Sequence, residues 1–267
     1  MLEGMAPNGT SYRLSGDKGH CVALIHGLGN RKEAWRFQVE PLSRYFRVLT
    51  YDLYGHGASK DPPEKPNLSL FSRQLAELLD HLEIPTVAVA GFSLGGMIAR
   101  RFAMDFPSRL WALAILHSAH ARDKAAHDAI QQRVEQARKD GPQATAEAAL
   151  VRWFTDQYRG SHPEIMDEVR GWILANRKDV YADIYQVLVD GVTELVAPKT
   201  PISAPCLVMT GDEDYGNSAA MSRAIASEIP RSQLVILPGL RHMAKIEAPE
   251  LFNRHLLDFL LKEHPRG

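Results

Sequence analysis

The chain has 267 residues, 45% of them apolar, with a formal net charge of −1. That length holds one large α/β domain with an insertion, and the near-cancelled charge excludes broad electrostatic attraction to nucleic acid or acidic membranes. Met1-Leu2-Glu3-Gly4 has neither the cationic nor the apolar segment of a secretory signal, and the densest apolar run, Leu110 to Leu116, is too short to span a bilayer, so a soluble cytoplasmic protein is expected.

In chain order, Thr10–Leu14 reads as a weak strand and Cys21–His26 as a strong one. Arg47–Asp52, Thr86–Gly91, Leu110–Leu116, Cys206–Thr210 and Gln233–Leu237 continue the series. Several are unbroken apolar runs, the pattern of strands buried on both faces of a parallel sheet. Helices are predicted between them, at Glu33–Phe46, Leu94–Phe106, Ser218–Ile229 and Pro249–Glu263. Another carries Phe71, Leu75, Leu78 and Leu82 on one face and is stopped by Pro85. Strands alternating with helices predict βαβ units and a doubly wound, mostly parallel sheet.

The alternation stops between about residues 121 and 201. That stretch is helical in composition and carries Trp153, Phe154, Tyr158, Trp172, Tyr181 and Tyr185. It is predicted to be a helical cap over the active-site end of the sheet, because insertions of that length are usually structured or functional. Pro198-Lys199-Thr200-Pro201 marks the return to the sheet. Cys21 and Cys206 each begin a strand and belong to no C-x-x-C pattern, so they read as buried small hydrophobes.

Gly91-Phe92-Ser93-Leu94-Gly95 is the most informative motif. It reads G-x-S-x-G between a strand and a helix, the context in which a strained turn presents a serine hydroxyl above a sheet. A serine nucleophile needs a base, and the base needs an orienting acid. His242, after the last strand, is the candidate base. Asp214 in Gly211-Asp212-Glu213-Asp214 is the candidate acid, with Asp212 and Glu213 as alternatives. Oxyanion donors are expected at the Leu94 N–H, just after the nucleophile, and at the Leu28 N–H in His26-Gly27-Leu28-Gly29. His26 reads as a brace for that loop. His117, His120, Asp123, His127 and Asp128 cluster in sequence, but their side chains are expected to diverge, so neither a metal nor a cofactor is predicted. His120 is placed at the substrate pocket.

These motifs together with Tyr51-Asp52-Leu53-Tyr54-Gly55-His56-Gly57-Ala58-Ser59 and Gly239-x-x-His242 resemble the α/β-hydrolase family, in the family's order and over nearly the whole chain outside the cap. The resemblance implies an α/β-hydrolase core of residues 1–120 and 202–267 and a helical cap of residues 121–201. It also implies a structural role for the Asp52–Ser59 loop, so His56 is not assigned chemistry. The Gly91–Ala99 segment is similar to a small esterase and lactonase branch that includes 3-oxoadipate enol-lactonase-like enzymes and N-acyl homoserine lactonases. Many relatives carry a proline soon after the acid, where this chain has Asp214-Tyr215-Gly216-Asn217, which bears on the pocket wall. Serine at position 93, where dehalogenases and epoxide hydrolases of similar fold use aspartate, disfavours their alkyl-transfer chemistry. The expected function is hydrolysis of esters or lactones through an acyl-enzyme, with N-acyl homoserine lactones as one substrate class. The alternatives are C–C bond hydrolysis of the meta-cleavage type and a non-catalytic ligand receptor. The expected partner is a small ester or lactone with an apolar acyl part, received by Trp153, Phe154, Tyr158 and Trp172.

Overall fold

The apolar runs become the strands of one eight-stranded sheet in a computed structural model that describes residues 1–265. The strands are β1 (Leu2–Met5), β2 (Ser11–Ser15), β3 (Cys21–Ile25), β4 (Arg47–Tyr51), β5 (Val87–Phe92), β6 (Leu110–Leu116), β7 (Cys206–Gly211) and β8 (Ser232–Leu237). Their order in space is β1-β2-β4-β3-β5-β6-β7-β8. β2 runs antiparallel to β1 and to β4, and every other pairing is parallel. β3, β5 and β7 are buried along their whole length, which is why they read as unbroken apolar runs. β1 was not expected. It is a short, largely exposed edge strand interrupted by Gly4, so it carries little of the burial pattern that marks a strand.

The helices are α1 (Arg36–Ser43), α2 (Leu68–His81), α3 (Leu94–Asp105), α4 (Lys124–Asp140), α5 (Gln143–Trp153), α6 (Asp156–Ser161), α7 (Pro163–Leu174), α8 (Lys178–Asp190), α9 (Ala219–Glu228), α10 (Ala244–Glu247) and α11 (Pro249–Glu263). α2 shows the expected face, with Phe71, Leu75 and Leu78 fully buried. Its first turn is closed by Asn67, whose side chain accepts the Leu70 N–H at 2.8 Å. The helix expected over Glu33–Phe46 is divided into a 3₁₀ turn at Lys32–Trp35 and then α1. Asp52 accepts the Lys32 N–H at 2.7 Å, and Trp35 is fully buried. Those two anchors tighten the first turn.

Five helices, α4 to α8, fill the connection between β6 and β7. α4 packs on α8, and α5 on α7. Side chains of the sheet domain fasten this insertion at both ends. Buried Arg100 donates to the carbonyls of Ala119 and Leu195 at its two borders. Arg241 donates to the carbonyls of Val151 and Phe154 at 3.1 and 2.9 Å and to Asp156 at 2.8 Å. The Met243 N–H donates to the Trp153 carbonyl at 2.8 Å. The end of α5 is therefore tied to the loop that follows β8.

Cys21 and Cys206 are free and buried. β5 and β6 lie between their strands, so about 14 Å of sheet separates them, too far for a disulfide. Burial pushes the Cys21 thiol up to about 12, which keeps it protonated and unreactive. No helix among the described residues is long and apolar enough to cross a membrane.

Candidate active site

Ser93 occupies the single residue between β5 and α3, with φ 57° and ψ −116°. A residue with a Cβ rarely adopts that backbone. Four hydrogen bonds hold it: Ser93 N–H to the Leu116 carbonyl at 2.8 Å, and the Gly96 N–H, the Ser118 hydroxyl and the Met97 N–H to the Ser93 carbonyl at 2.9, 2.9 and 3.3 Å. The flanking glycines are steric requirements. A Cβ on Gly95 would lie 2.3 Å from the Ile25 carbonyl oxygen, and one on Gly91 2.0 Å from the Gly95 oxygen. Glycine there lets α3 start directly against β3.

The ends of β7 and β8 supply the other two groups. Their loops run against each other so closely that a Cβ on Gly211 would lie 1.9 Å from the Leu240 carbonyl oxygen. His242 Nδ1 donates to Asp214 Oδ2 at 2.7 Å. The other carboxylate oxygen, Oδ1, accepts the amides of Gly216 and Asn217 at 3.1 and 2.9 Å. Burial opposes ionisation of Asp214, but the imidazoles of His242 and His117 outweigh it and hold the carboxyl well below the usual carboxylate range. With Nδ1–H committed to Asp214, His242 keeps its lone pair on Nε2.

His117 was missed as part of this group. It follows β6 with φ 50°, and its Nδ1 donates to the same Oδ2 at 2.9 Å. Its own backbone is clamped, N–H to the Met209 carbonyl and carbonyl to the Asn217 side chain, both at 2.7 Å. Burial pushes its imidazole down, towards the neutral form. His117, Asp214 and His242 place ligand-type atoms within 4.8 Å of one another. Both Nδ1 atoms carry hydrogens aimed at the carboxylate, however, whereas a metal would need their lone pairs.

Ser93, Asp214 and His242 line one cavity of about 200 Å³, at the small end for a small-molecule site. Leu28, Phe92 and Trp153 line it beside them, and Ile130, Tyr181 and Tyr185 come from the inserted helices. Phe92 and Trp153 flank the His242 ring, with centroids 4.8 and 6.0 Å away. Leu94 opens α3, so its N–H has no partner within the helix. In the loop after β3, the Gly29 N–H is taken by His56 at 3.0 Å and the Asn30 N–H by the Gly27 carbonyl at 3.2 Å. Leu28 is the residue of that loop turned to the cavity with its N–H outside both bonds.

The sequence model of the alpha/beta hydrolase family matches residues 22–255. The chain belongs to the α/β-hydrolase family. It is 28% identical over 257 residues, 96% of each chain, to the (E)-2-((N-methylformamido)methylene)succinate hydrolase of Acinetobacter baylyi. It is 29% identical over 243 residues to 3-oxoadipate enol-lactonase 2 of the same organism, covering 90% of this chain and 88% of that one. The crystal structure of the enol-lactonase from Burkholderia xenovorans LB400 superposes with a TM-score of 0.87 at 28% identity, over 97% of this chain and all of that one. The resemblance carried by the five motifs and the expected fold class are thus both borne out.

Within this α/β hydrolase, the expected pocket residues fall differently. Of the four aromatics expected to receive the acyl part, Trp153 lines the cavity and Phe154, Tyr158 and Trp172 do not. Phe154 takes an extended backbone just past α5 and is fully buried, stacked on Tyr158 at 5.6 Å. That one-residue change of direction sends neighbouring side chains opposite ways. Tyr158 stacks on His162 at 4.0 Å beside a separate surface depression. Trp172 packs under the Arg36 guanidinium, 5.5 Å from it. His120 is turned away and meets Glu228 at 2.9 Å. The wall is mixed: Arg122, Arg133 and Arg152 line it together with apolar Leu28, Phe92, Ile130 and Leu188. Of the alternative acids, exposed Asp212 accepts the Gly239 amide at 2.7 Å, and half-buried Glu213 lies 3.7 Å from Arg241. Asp123 caps α4 by accepting the Ala126 N–H.

His26 and His56 brace the loop after β3 against the loop after β4. His26 Nδ1–H donates to the Gly27 carbonyl at 2.8 Å, and its Nε2 accepts the Leu53 N–H at 3.0 Å. His56 Nδ1–H donates to the Tyr54 carbonyl at 3.2 Å, and its Nε2 accepts the Gly29 N–H. Adding a proton at either Nε2 would set N–H against N–H. Burial accordingly pushes His26 down to about 4; burial and then repulsion from His26 push His56 down to about 3. In the unfolded chain both titrate near 6.5. Below that pH the unfolded state takes up protons that the folded state refuses, so stability falls as pH drops. The slope is about 1.4 kcal/mol per pH unit for each ring, down to its folded value. Urea midpoints measured at pH 7.5, 6 and 5 should fall steeply below 6.5; a midpoint constant over that range would contradict these tautomers.

Proposed function

We propose that this α/β hydrolase is a serine hydrolase that cleaves a carboxylic ester or lactone through an acyl-enzyme. The observation that carries the reading is the placement of Ser93, on a strained turn, in the same cavity as an imidazole whose Nδ1–H is bonded to a buried, ionised carboxylate. His242 Nε2 takes the Ser93 hydroxyl proton as Oγ attacks the carbonyl carbon. The carbonyl oxygen becomes an oxyanion facing the Leu28 and Leu94 amides. The C–O bond to the leaving alcohol breaks, and His242 returns the proton to that oxygen. Water then attacks the acyl-serine with His242 as base, and the acid leaves as Ser93 regains its proton. In a lactone the leaving alcohol stays tethered to the acyl chain. Asp214 orients His242 and balances the imidazolium that forms transiently.

The lactonase and hydrolase relatives support hydrolysis as the reaction class. The helices α4 to α8 act in this reading as a cap that closes the cavity over Ser93 and excludes water. N-acyl homoserine lactones fit the proposal less well than shorter substrates, because a long apolar tail would have to pass three guanidinium groups in a small cavity. A panel of short methyl esters, aliphatic lactones, acyl homoserine lactones and a ring-fission dienone tests the reading. Turnover of esters or lactones is expected. Cleavage of the dienone alone would favour the C–C reading, and retention of ligands without any turnover would favour a receptor.

A further inference from the structure

The roof of the cavity carries three positive charges with no acid to meet them. Arg122 precedes α4, Arg133 lies on α4 and Arg152 on α5, and all three line the cavity. Arg122 donates to the Leu188 carbonyl at 2.8 Å, and Arg133 donates through Nε to the Tyr185 hydroxyl at 3.1 Å. Both partners are neutral. Among the described residues none of the three arginines pairs with an aspartate or glutamate. Asp214 is the acid in the lining, and its oxygens already accept two imidazole and two amide hydrogens. Elsewhere on these helices the pattern is the opposite. Arg138 of α4 meets Asp183 at 2.7 Å, and Arg170 of α7 meets Glu147 at 2.5 Å.

Clustered guanidiniums that are half-buried, as these three are, repel one another and lose part of their hydration. The cost is visible here: burial and repulsion from Arg133 push Arg122 down to about 10 and lower Arg152 as well. An anion placed among them offsets both effects, and a planar carboxylate matches the guanidinium fork. We propose that the substrate carries a free carboxylate held by Arg122, Arg133 and Arg152 while its ester or lactone carbonyl meets Ser93. The inference rests on the serine-hydrolase reading for the second half of that statement. The first half stands on the arginines. The substrate class is then a half-ester of a short dicarboxylic acid, or a lactone bearing a carboxylate side arm.

Matched substrates test it. Monomethyl esters of succinic, glutaric and adipic acids are compared with methyl butyrate, valerate and caproate, following product by NMR. The charged esters should show kcat/KM at least about tenfold higher, because a charge-assisted bond to a carboxylate contributes that much or more. Arg133→Met and Arg152→Met should each cut the charged-to-neutral ratio about tenfold or more, chiefly through KM. Glutarate should bind the wild-type protein by calorimetry, more weakly at high salt, and glutaramide should not. Calorimetry needs no turnover and no variant, so it decides the carboxylate site even where a variant misfolds or no ester is cleaved. Equal kcat/KM for the paired esters, a ratio unchanged in both variants, or phosphate binding as tightly as glutarate would overturn the assignment. Turnover of neutral esters without preference would sink the carboxylate alone. Failure of every ester and lactone, with glutarate still bound, would sink the serine-hydrolase reading and leave the anion site standing.

Discussion

Replacing Ser93 by alanine lowers kcat on the best ester or lactone by roughly 10³ to 10⁶ without unfolding the protein. In the serine-hydrolase reading the size follows from what is removed, the nucleophile of the covalent route. The fold should persist because the turn is held by backbone groups. The Ser93 N–H, the Ser93 carbonyl and the glycines at 91 and 95 do that work, and alanine keeps all of them. Steady-state kinetics with circular dichroism and a melting curve check both halves. A variant that melts normally and retains more than a tenth of the activity would mean that another group attacks the substrate.

Changing Asp214 to asparagine is expected to cost about 10⁴ in kcat. The two amides at Oδ1 donate, so the asparagine carbonyl would take that place and its NH₂ would face the imidazoles. A donor opposite Nδ1 forces the His242 proton to Nε2, and the ring then presents N–H, not a lone pair, to Ser93. His117 meets the same NH₂, so the pair of imidazoles loses its shared acceptor. Asp212→Asn is the control, because Asp212 bonds the Gly239 amide on the far side of the turn and should leave activity near wild type. If Asp214→Asn were near wild type and Asp212→Asn crippled, the orienting acid would have to be reassigned.

Much of the sheet and the serine turn was legible in the sequence because the physics there is local. Strands buried on both faces must be apolar throughout, and β3 and β7 are. The serine turn needs glycines on both sides, for steric reasons that any such turn shares. Position along the chain was enough to point to Asp214 and His242, since each follows a strand of the same sheet edge. What the sequence hid depends on direction. His117 was visible as a histidine after a strand. That it meets Asp214 follows only from β6 and β7 being neighbours, an adjacency the linear order does not state. Trp153 and Phe154 look equivalent in sequence, yet one lines the cavity and the other is sealed behind it. The arginines are the sharpest case. Arg133 and Arg138 share a helix and a residue type, and only the fold reveals that one has an acid and the other does not.

Labelling with a small fluorophosphonate, followed by peptide mass spectrometry, tests the central claim most directly. An activated Ser93 should carry the phosphonyl adduct, and the adduct should be lost at Ser93→Ala and strongly slowed at His242→Ala. Folded protein that stays unlabelled at Ser93, or that is labelled as fast without His242, would contradict the account.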